Sequence, residues 1–174
     1  MRFVSLFSGI ESCSEAWVGP LGWTPIAYAE IDPFACHVLA HRHGASRPAR
    51  MPDPETPGLS EEEQGERENA IRSVAKLPES ARVPNVGDMT QHDWSQYRGS
   101  AELVVGGPPC KAFSVAGLRQ SLSDARGNLS LEYVRAIRSI DPLWTVTENV
   151  PGWLSTRDNA FGCFLAALVG EDAA

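Results

Sequence analysis

Short apolar runs recur along the chain, each closed by a polar or glycine-bearing turn. Phe3-Val4-Ser5-Leu6-Phe7 reads as a strand that breaks at Ser8-Gly9, and Ile10 to Trp17 is compatible with a helix. Gly19-Pro20-Leu21-Gly22 is expected to end that helix, because glycine and proline interrupt helical pairing. Trp23 to Ala29 is a second strand, closed by Glu30-Ile31-Asp32. Asp32-Pro33 then opens a helix to about His43, with Asp32 as cap and Pro33 in the first turn. Val83-Pro84-Asn85-Val86 and Leu103-Val104-Val105 are two further strands, ending at Gly87-Asp88 and Gly106-Gly107-Pro108-Pro109. A polar loop to about Gly127 precedes a helix from Asn128 to Ser139, a fifth strand at Trp144 to Thr147 and a last helix from Asn159 to Val169.

Residues 45–82 differ in kind. They hold five of the 13 prolines, eight acids and six bases, which reads as a solvated insertion with one amphipathic helix from Ser60 to Lys76. Elsewhere, apolar strands alternate with helices. That pattern predicts an α/β fold, a doubly wound and mostly parallel sheet covered on both faces. In such sheets ligands bind beyond the carboxyl ends of the strands. The polar oddities gather there: Ser8-Gly9, Glu30, Asp88, Pro109-Cys110 and Glu148-Asn149.

Composition narrows the picture. The 174 residues suit one domain or at most two small ones, and 43% hydrophobic with 21% charged residues excludes general disorder. No apolar run approaches the roughly 20 residues of a membrane helix, and the N-terminus turns polar too soon for a signal peptide. A cytoplasmic protein, with no membrane partner, is expected. A net charge of −7 argues against a broad basic face for gripping a nucleic-acid backbone. Cysteines stand at 13, 36, 110 and 163 without a C-x-x-C pair, so no structural zinc site or disulfide framework is indicated. His37, His41 and His43 fall close together, but no other ligand has matching spacing; a solvated helix end is expected, and no metal.

The strand ends carry the candidate chemistry. Glu30 stands where an α/β fold places a carboxylate for a ribose diol, and Asp88 can accept from an exocyclic amine such as that of adenine. Gly9 permits close approach of backbone to ligand, although G-x-G-x-x-G is absent. Cys110, fixed by the preceding prolines, is a candidate nucleophile; the alternative is a small buried residue. Glu148 can act as an acid if burial raises its pKa, and otherwise caps a helix with Asn149.

Taken together these residues resemble the cytosine-5 DNA methyltransferase family. Ser5-Leu6-Phe7-Ser8-Gly9-Ile10 resembles its first cofactor motif, with Glu11-Ser12 where the family usually has glycines. Ala29-Glu30-Ile31-Asp32-Pro33 resembles the ribose-binding strand end, and Gly87-Asp88-Met89 the adenine-contacting turn. Gly107-Pro108-Pro109-Cys110 through Gly117 resembles the catalytic loop, with Lys111-Ala112 replacing the common Gln-Pro. Asp124 to Leu129 resembles the next motif, and Glu148-Asn149-Val150 the catalytic glutamate motif. The resemblance implies a Rossmann-like methyltransferase fold. It implies S-adenosyl-L-methionine as cofactor, held by Phe7, Ser8, Gly9, Ile10, Glu30, Ile31, Asp88, Met89, Gly107 and Pro109. DNA is the implied substrate, its cytosine flipped out of the duplex. Cys110 would add to ring carbon 6, Glu148 would act on ring nitrogen 3, and Asn149 belongs to the same catalytic motif. Ser114, Arg119 and Arg126 would lie on a loop that closes over the DNA strand.

Nothing after Val150 resembles the remaining family motifs or the target-recognition domain. The chain is therefore expected to be a catalytic domain, 1–174, truncated after about five strands and binding DNA only weakly by itself. Half of a split enzyme completed by a complementary subunit, a self-associating or inactive cofactor-binding module, and a transfer-RNA methyltransferase stay open. A prokaryotic or phage source is implied.

Overall fold

In the computed structural model, residues 1–109, 129–155 and 159–170 are described. The chain divides into two compact units, Met1–His92 and Asp93–Ala174.

The first unit is built on four parallel strands. β1 (Arg2–Leu6) is followed by α1 (Ser12–Leu21), β2 (Thr24–Ala29) and α2 (Pro33–His43). Then come β3 (Ala45–Arg50), α3 (Glu61–Val74) and β4 (Val83–Gly87), and the strands lie in the order β3-β4-β2-β1. The helix ends follow from local chemistry. Asp32 accepts from the Ala35 N–H at 2.9 Å and Pro33 opens α2, which stops at Gly44 in the left-handed region. Ser60 and Glu63 form a reciprocal capping box at the start of α3. α1 runs on past Gly19-Pro20 although Pro20 has no N–H to donate, and Gly22 at φ 65° closes it, its N–H donating to the Val18 carbonyl at 3.1 Å.

The solvated insertion expected at 45–82 is corrected in two places. Residues 45–50 form β3, with Ala45, Ser46 and Pro48 buried, and Val74 and Leu77 pack with Cys36. Pro48 cannot donate to the ladder, so pairing with β4 shifts register between Ala45 and Pro48. There the Asn85 N–H donates instead to Ser46 Oγ at 3.0 Å. On β3, the Arg47 N–H donates to the Pro78 carbonyl at 2.6 Å. Tyr28, Leu39, Ala45 and Val83 form the buried cluster that joins β2, α2, β3 and β4.

The second unit contains β5 (Leu103–Gly106), α4 (Leu129–Ile140), β6 (Trp144–Thr147) and α5 (Ala160–Val169). β5 and β6 pair in parallel in unbroken register, from Leu103↔Trp144 to Gly106↔Thr147. The α4 stripe of Tyr133, Val134, Ile137 and Ile140 is buried at helical spacing. Phe164 of α5 stacks on Tyr133 with ring centres 6.3 Å apart, and Trp153 packs against Phe164 at 4.9 Å. The whole is of the α/β class with parallel strands, as the sequence predicts. No helix among the described residues is long and apolar enough to cross a membrane.

Gly87 is the most tightly enclosed of the described glycines. It sits at φ 77°, and a β-carbon there would lie 1.8 Å from the Arg50 carbonyl oxygen. The same carbonyl accepts from the Asp88 N–H at 2.9 Å, so it cannot retreat without breaking the β3–β4 ladder. Gly87→Ala is expected to cost at least ~2 kcal/mol of stability, from the left-handed backbone and the clash together. A urea melt checks this; a melt superimposable on the parent's would contradict the placement of β3.

Candidate active site

Because the strands of the first unit are parallel, the turns after β1, β2 and β4 emerge at one edge of its sheet. Glu30 is the hub. Its Oε2 accepts from the Gly9 N–H at 2.6 Å. Its Oε1 accepts from the Ile31 and Asp32 N–H groups at 2.8 and 2.7 Å. One carboxylate therefore ties the β1 turn to the β2 turn. Ser8 makes the second tie, its N–H donating to the Ala29 carbonyl at 3.1 Å while its hydroxyl donates to Ser5 O at 2.9 Å. Phe7, half-buried, holds the turn at φ 53°, and Ile10 beside it is exposed.

Asp88, half-buried, caps the short 3₁₀ turn Met89–Gln91. Oδ1 accepts from the Thr90 N–H and hydroxyl at 3.0 and 2.7 Å, and Oδ2 from Gln91 Nε2 at 2.9 Å. Met89 is buried beneath it. Beside Ile31 opens a mainly apolar cleft of about 640 Å³, bounded by Pro33, Met51, Pro52, Ala70 and Ser73.

Sequence reasoning missed the residue that joins these turns. Asn85 is 1% exposed and satisfied on every side. Its Oδ1 accepts from the Glu30 and Gly87 N–H groups at 3.1 and 3.0 Å, and its Nδ2 donates to the Glu30 carbonyl at 3.2 Å. The available signal was an amide in an otherwise apolar strand, since a buried amide needs partners.

Glu11 is the second residue that its motif left unexplained. It occupies the left-handed region at φ 62° and ψ 55°, which costs a non-glycine residue roughly 1–2 kcal/mol. It is also only 2% exposed. Its carboxylate accepts from Ser5 Oγ at 2.6 Å and Ser14 Oγ at 3.1 Å. Burial pushes its pKa up, and the two hydroxyls offset part of that rise. Burial and the charge of Glu11 push the half-buried Cys13 thiol up as well. Cys36 is pushed up to about 12 by burial and then by Glu30, so neither thiol is an apt nucleophile.

In the second unit, the ends of β5 and β6 lie side by side. The Glu148 N–H donates to the Gly106 carbonyl at 3.1 Å, extending the ladder one residue. A β-carbon on Gly107 would stand 3.0 Å from Glu148 Oε2, so glycine is what lets that carboxylate lie against the loop. Asn149 Nδ2 donates to the Pro108 carbonyl at 2.8 Å, and Ser130 Oγ to the Pro109 carbonyl at 2.8 Å. Glu148 is exposed, not buried as the acid role expected of it would favour, because β6 stands at a sheet edge. Cys110, Ser114, Arg119 and Arg126 lie outside the described residues.

Of the three histidines, His41 is exposed and His37 half-buried on α2, as a solvated helix end would have them, and only His43 departs from that expectation. His37 and His41 stack with centres 6.3 Å apart, whereas His43 is buried, with Nε2 3.9 Å from Glu15. Among the described residues no group of His, Cys, Asp or Glu is placed to hold a metal ion.

Residues 75–169, more than half of the chain, match the family model for C-5 cytosine-specific DNA methylase. The chain belongs to that family. The match runs past Val150, where motif reading had found nothing more. A DNA N-6-adenine-methyltransferase of Escherichia phage P1 is 41% identical over 97% of this chain and 19% of its own length. The type II methyltransferase M.AquIA of Picosynechococcus is 30% identical over 88% of this chain and 50% of its own. A solved methyltransferase of Entamoeba histolytica covers 98% of this chain at 14% identity and a TM-score of 0.49. The chain thus spans between about a sixth and a half of the first curated relatives it matches.

The raised pKa of Glu11 fixes the sign of a pH effect. Its folded form holds the proton more tightly than the unfolded chain does. Its contribution to stability is therefore full at acid pH and is lost as pH rises through the raised value. Glu11→Gln is expected to remove that fall. Urea melts of both proteins between about pH 4 and 8 check it, with parallel curves as the contrary result.

Proposed function

We propose that this chain is the cofactor-binding and catalytic portion of a DNA cytosine-5 methyltransferase. The observation that carries the reading is the Gly107-Pro108-Pro109 turn. Glu148 lies against it, and Asn149 and Ser130 hold the last two carbonyls before Cys110.

The first unit has acceptor capacity suited to S-adenosylmethionine. A carboxylate offers about four lone-pair sites. Glu30 uses three on backbone N–H groups, which leaves one for a ribose hydroxyl. Asp88 likewise has three donors and one site left for an exocyclic amine. Ile31 offers apolar surface beside Glu30, Met89 lies buried in the turn that Asp88 caps, and Phe7 to Ile10 form the adjoining turn. When bound, S-adenosylmethionine supplies the electrophilic methyl group that carbon 5 of the base takes.

The remaining chemistry belongs to side chains. The Cys110 thiolate adds to carbon 6 of a flipped cytosine, forming a carbon–sulfur bond and pushing an electron pair into the ring. Glu148 hydrogen-bonds or protonates ring nitrogen 3 and so takes up that charge, leaving carbon 5 nucleophilic. Asn149 keeps the Glu148 segment and the Pro108 carbonyl together. Once carbon 5 carries the methyl group, loss of its proton to solvent re-forms the double bond and expels the Cys110 sulfur as thiolate. Ser114, Arg119 and Arg126 are assigned to the DNA strand. The cytosine assignment rests on the family; the adenine named for the phage P1 relative belongs to a protein of which this chain matches a fifth.

Labelled methyl transfer to DNA, followed by nucleoside analysis, tests this. The expected product is 5-methylcytosine; N6-methyladenine, or transfer to transfer RNA alone, would overturn the substrate reading. Cys110→Ala is expected to abolish transfer and keep cofactor binding, and transfer persisting in that variant would sink the covalent mechanism.

A sheet edge left unpaired among the described residues favours dependence on a partner. β6 is terminal in its sheet, with Trp144 63% and Val146 43% exposed and Leu143 75% exposed beside it. Apolar edges of this kind favour association. Sedimentation is expected to show self-association or capture of a complementary subunit, and a clean monomer active by itself would contradict it.

A further inference from the structure

We infer that Glu11 is a positioning residue for the β1 turn, acting through the hydrogen bonds of its carboxylate, and that it takes over by bonding what the family's glycine does by flexibility. The inference rests on reading that turn as the cofactor turn.

Two features of Glu11 oppose its presence: a left-handed backbone that suits glycine, and burial of a carboxylate. The side chain must therefore do something that glycine cannot. Its two oxygens reach two elements, Ser5 on β1 through Oε2 and Ser14 on α1 through Oε1. Ser14 Oγ also lies 3.0 Å from the Tyr28 hydroxyl on β2. Because Ser14 gives its only proton to Glu11, the Tyr28 hydroxyl must donate to Ser14. That order agrees with a Tyr28 pKa pushed up to about 12 by burial, which keeps its proton in place. The carboxylate thus gathers β1, α1 and β2 around one point.

The turn itself is bracketed by two glutamates. At its far end the Glu11 N–H donates to the Ser8 carbonyl at 3.0 Å, and at its middle the Gly9 N–H donates to Glu30 at 2.6 Å. The Glu11 bonds to Ser5 and Ser14 fix where that N–H points. Without them, the Ser8 carbonyl loses a fixed donor, and the turn is held only by the bonds of Ser8 to Ala29 and Ser5 and of Gly9 to Glu30, which leaves the Gly9 donor less firmly aimed at Glu30.

Glycine at 11 separates the two explanations, because it suits the backbone and lacks the carboxylate. Glutamine keeps one acceptor for Ser5 and turns a donor toward Ser14, which can then donate to Tyr28. Two measurements on the full chain test the inference. The first is amide exchange at Ser8 and Gly9 without ligand, referred to the core amides of β1 so that global unfolding is separated. Glu11→Gly is expected to raise exchange there by about tenfold or more, and Glu11→Gln to leave it near the parent's. The second is calorimetric titration with S-adenosylmethionine, where Glu11→Gly is expected to bind about tenfold more weakly and Glu11→Gln within about threefold of the parent. Unchanged exchange in Glu11→Gly, or an equal rise in both variants, overturns the inference. Failure of the parent to bind S-adenosylmethionine removes the cofactor reading instead, and the exchange result then still decides the role of Glu11 in the turn.

Discussion

The Glu30 carboxylate is the interaction on which the first unit's strand-end edge depends. Parallel strands leave their carboxyl-end N–H groups pointing into open turns, where nothing in the ladder can satisfy them. Glu30 collects three of them from two turns at 2.6 to 2.8 Å. Charge-assisted bonds of this length are the stronger kind, and they hold backbone where a ligand would otherwise meet loose chain. Around that point, Asn85 serves the main chain of Glu30 and Asp88 caps the neighbouring turn.

The second unit solves a similar problem by other means. Its short strands give one ladder, and the Gly107-Pro108-Pro109 turn has two residues without an N–H. Carbonyls, not N–H groups, are what that turn presents, and side-chain donors answer them: Asn149 for Pro108 and Ser130 for Pro109. Proline fixes the backbone torsion and the amide and hydroxyl fix its position, so the turn is determined at each residue.

Most of the strands and helices were legible because apolar runs closed by Gly, Pro, Asp or Asn leave few alternatives. β3 was not, since Ala-Ser-Arg-Pro-Ala-Arg carries no apolar run; backbone pairing with β4 and the Arg47–Pro78 bond make it a strand. The strand-end acids Glu30 and Asp88 were legible as positions, but not their occupation by backbone donors, which depends on turn conformation. Glu11 was visible only as a departure from a motif. Its burial and its two serine partners come from the packing of α1 on β1, which spacing along the chain does not encode. The exposure of Glu148 likewise follows from the place of β6 at a sheet edge, a property of strand order and not of the residues nearby.

Asn85 carries a consequence for how such a sequence can change over time. Its single side-chain amide is shared between the main chain of Glu30, 55 positions away, and that of Gly87, two positions away. Two turns served by one amide cannot drift independently. A replacement at 85 would be felt in both at once, and a change of backbone in either would have to keep faith with the other. The two strand ends are in that sense inherited as one object, although the chain writes them far apart.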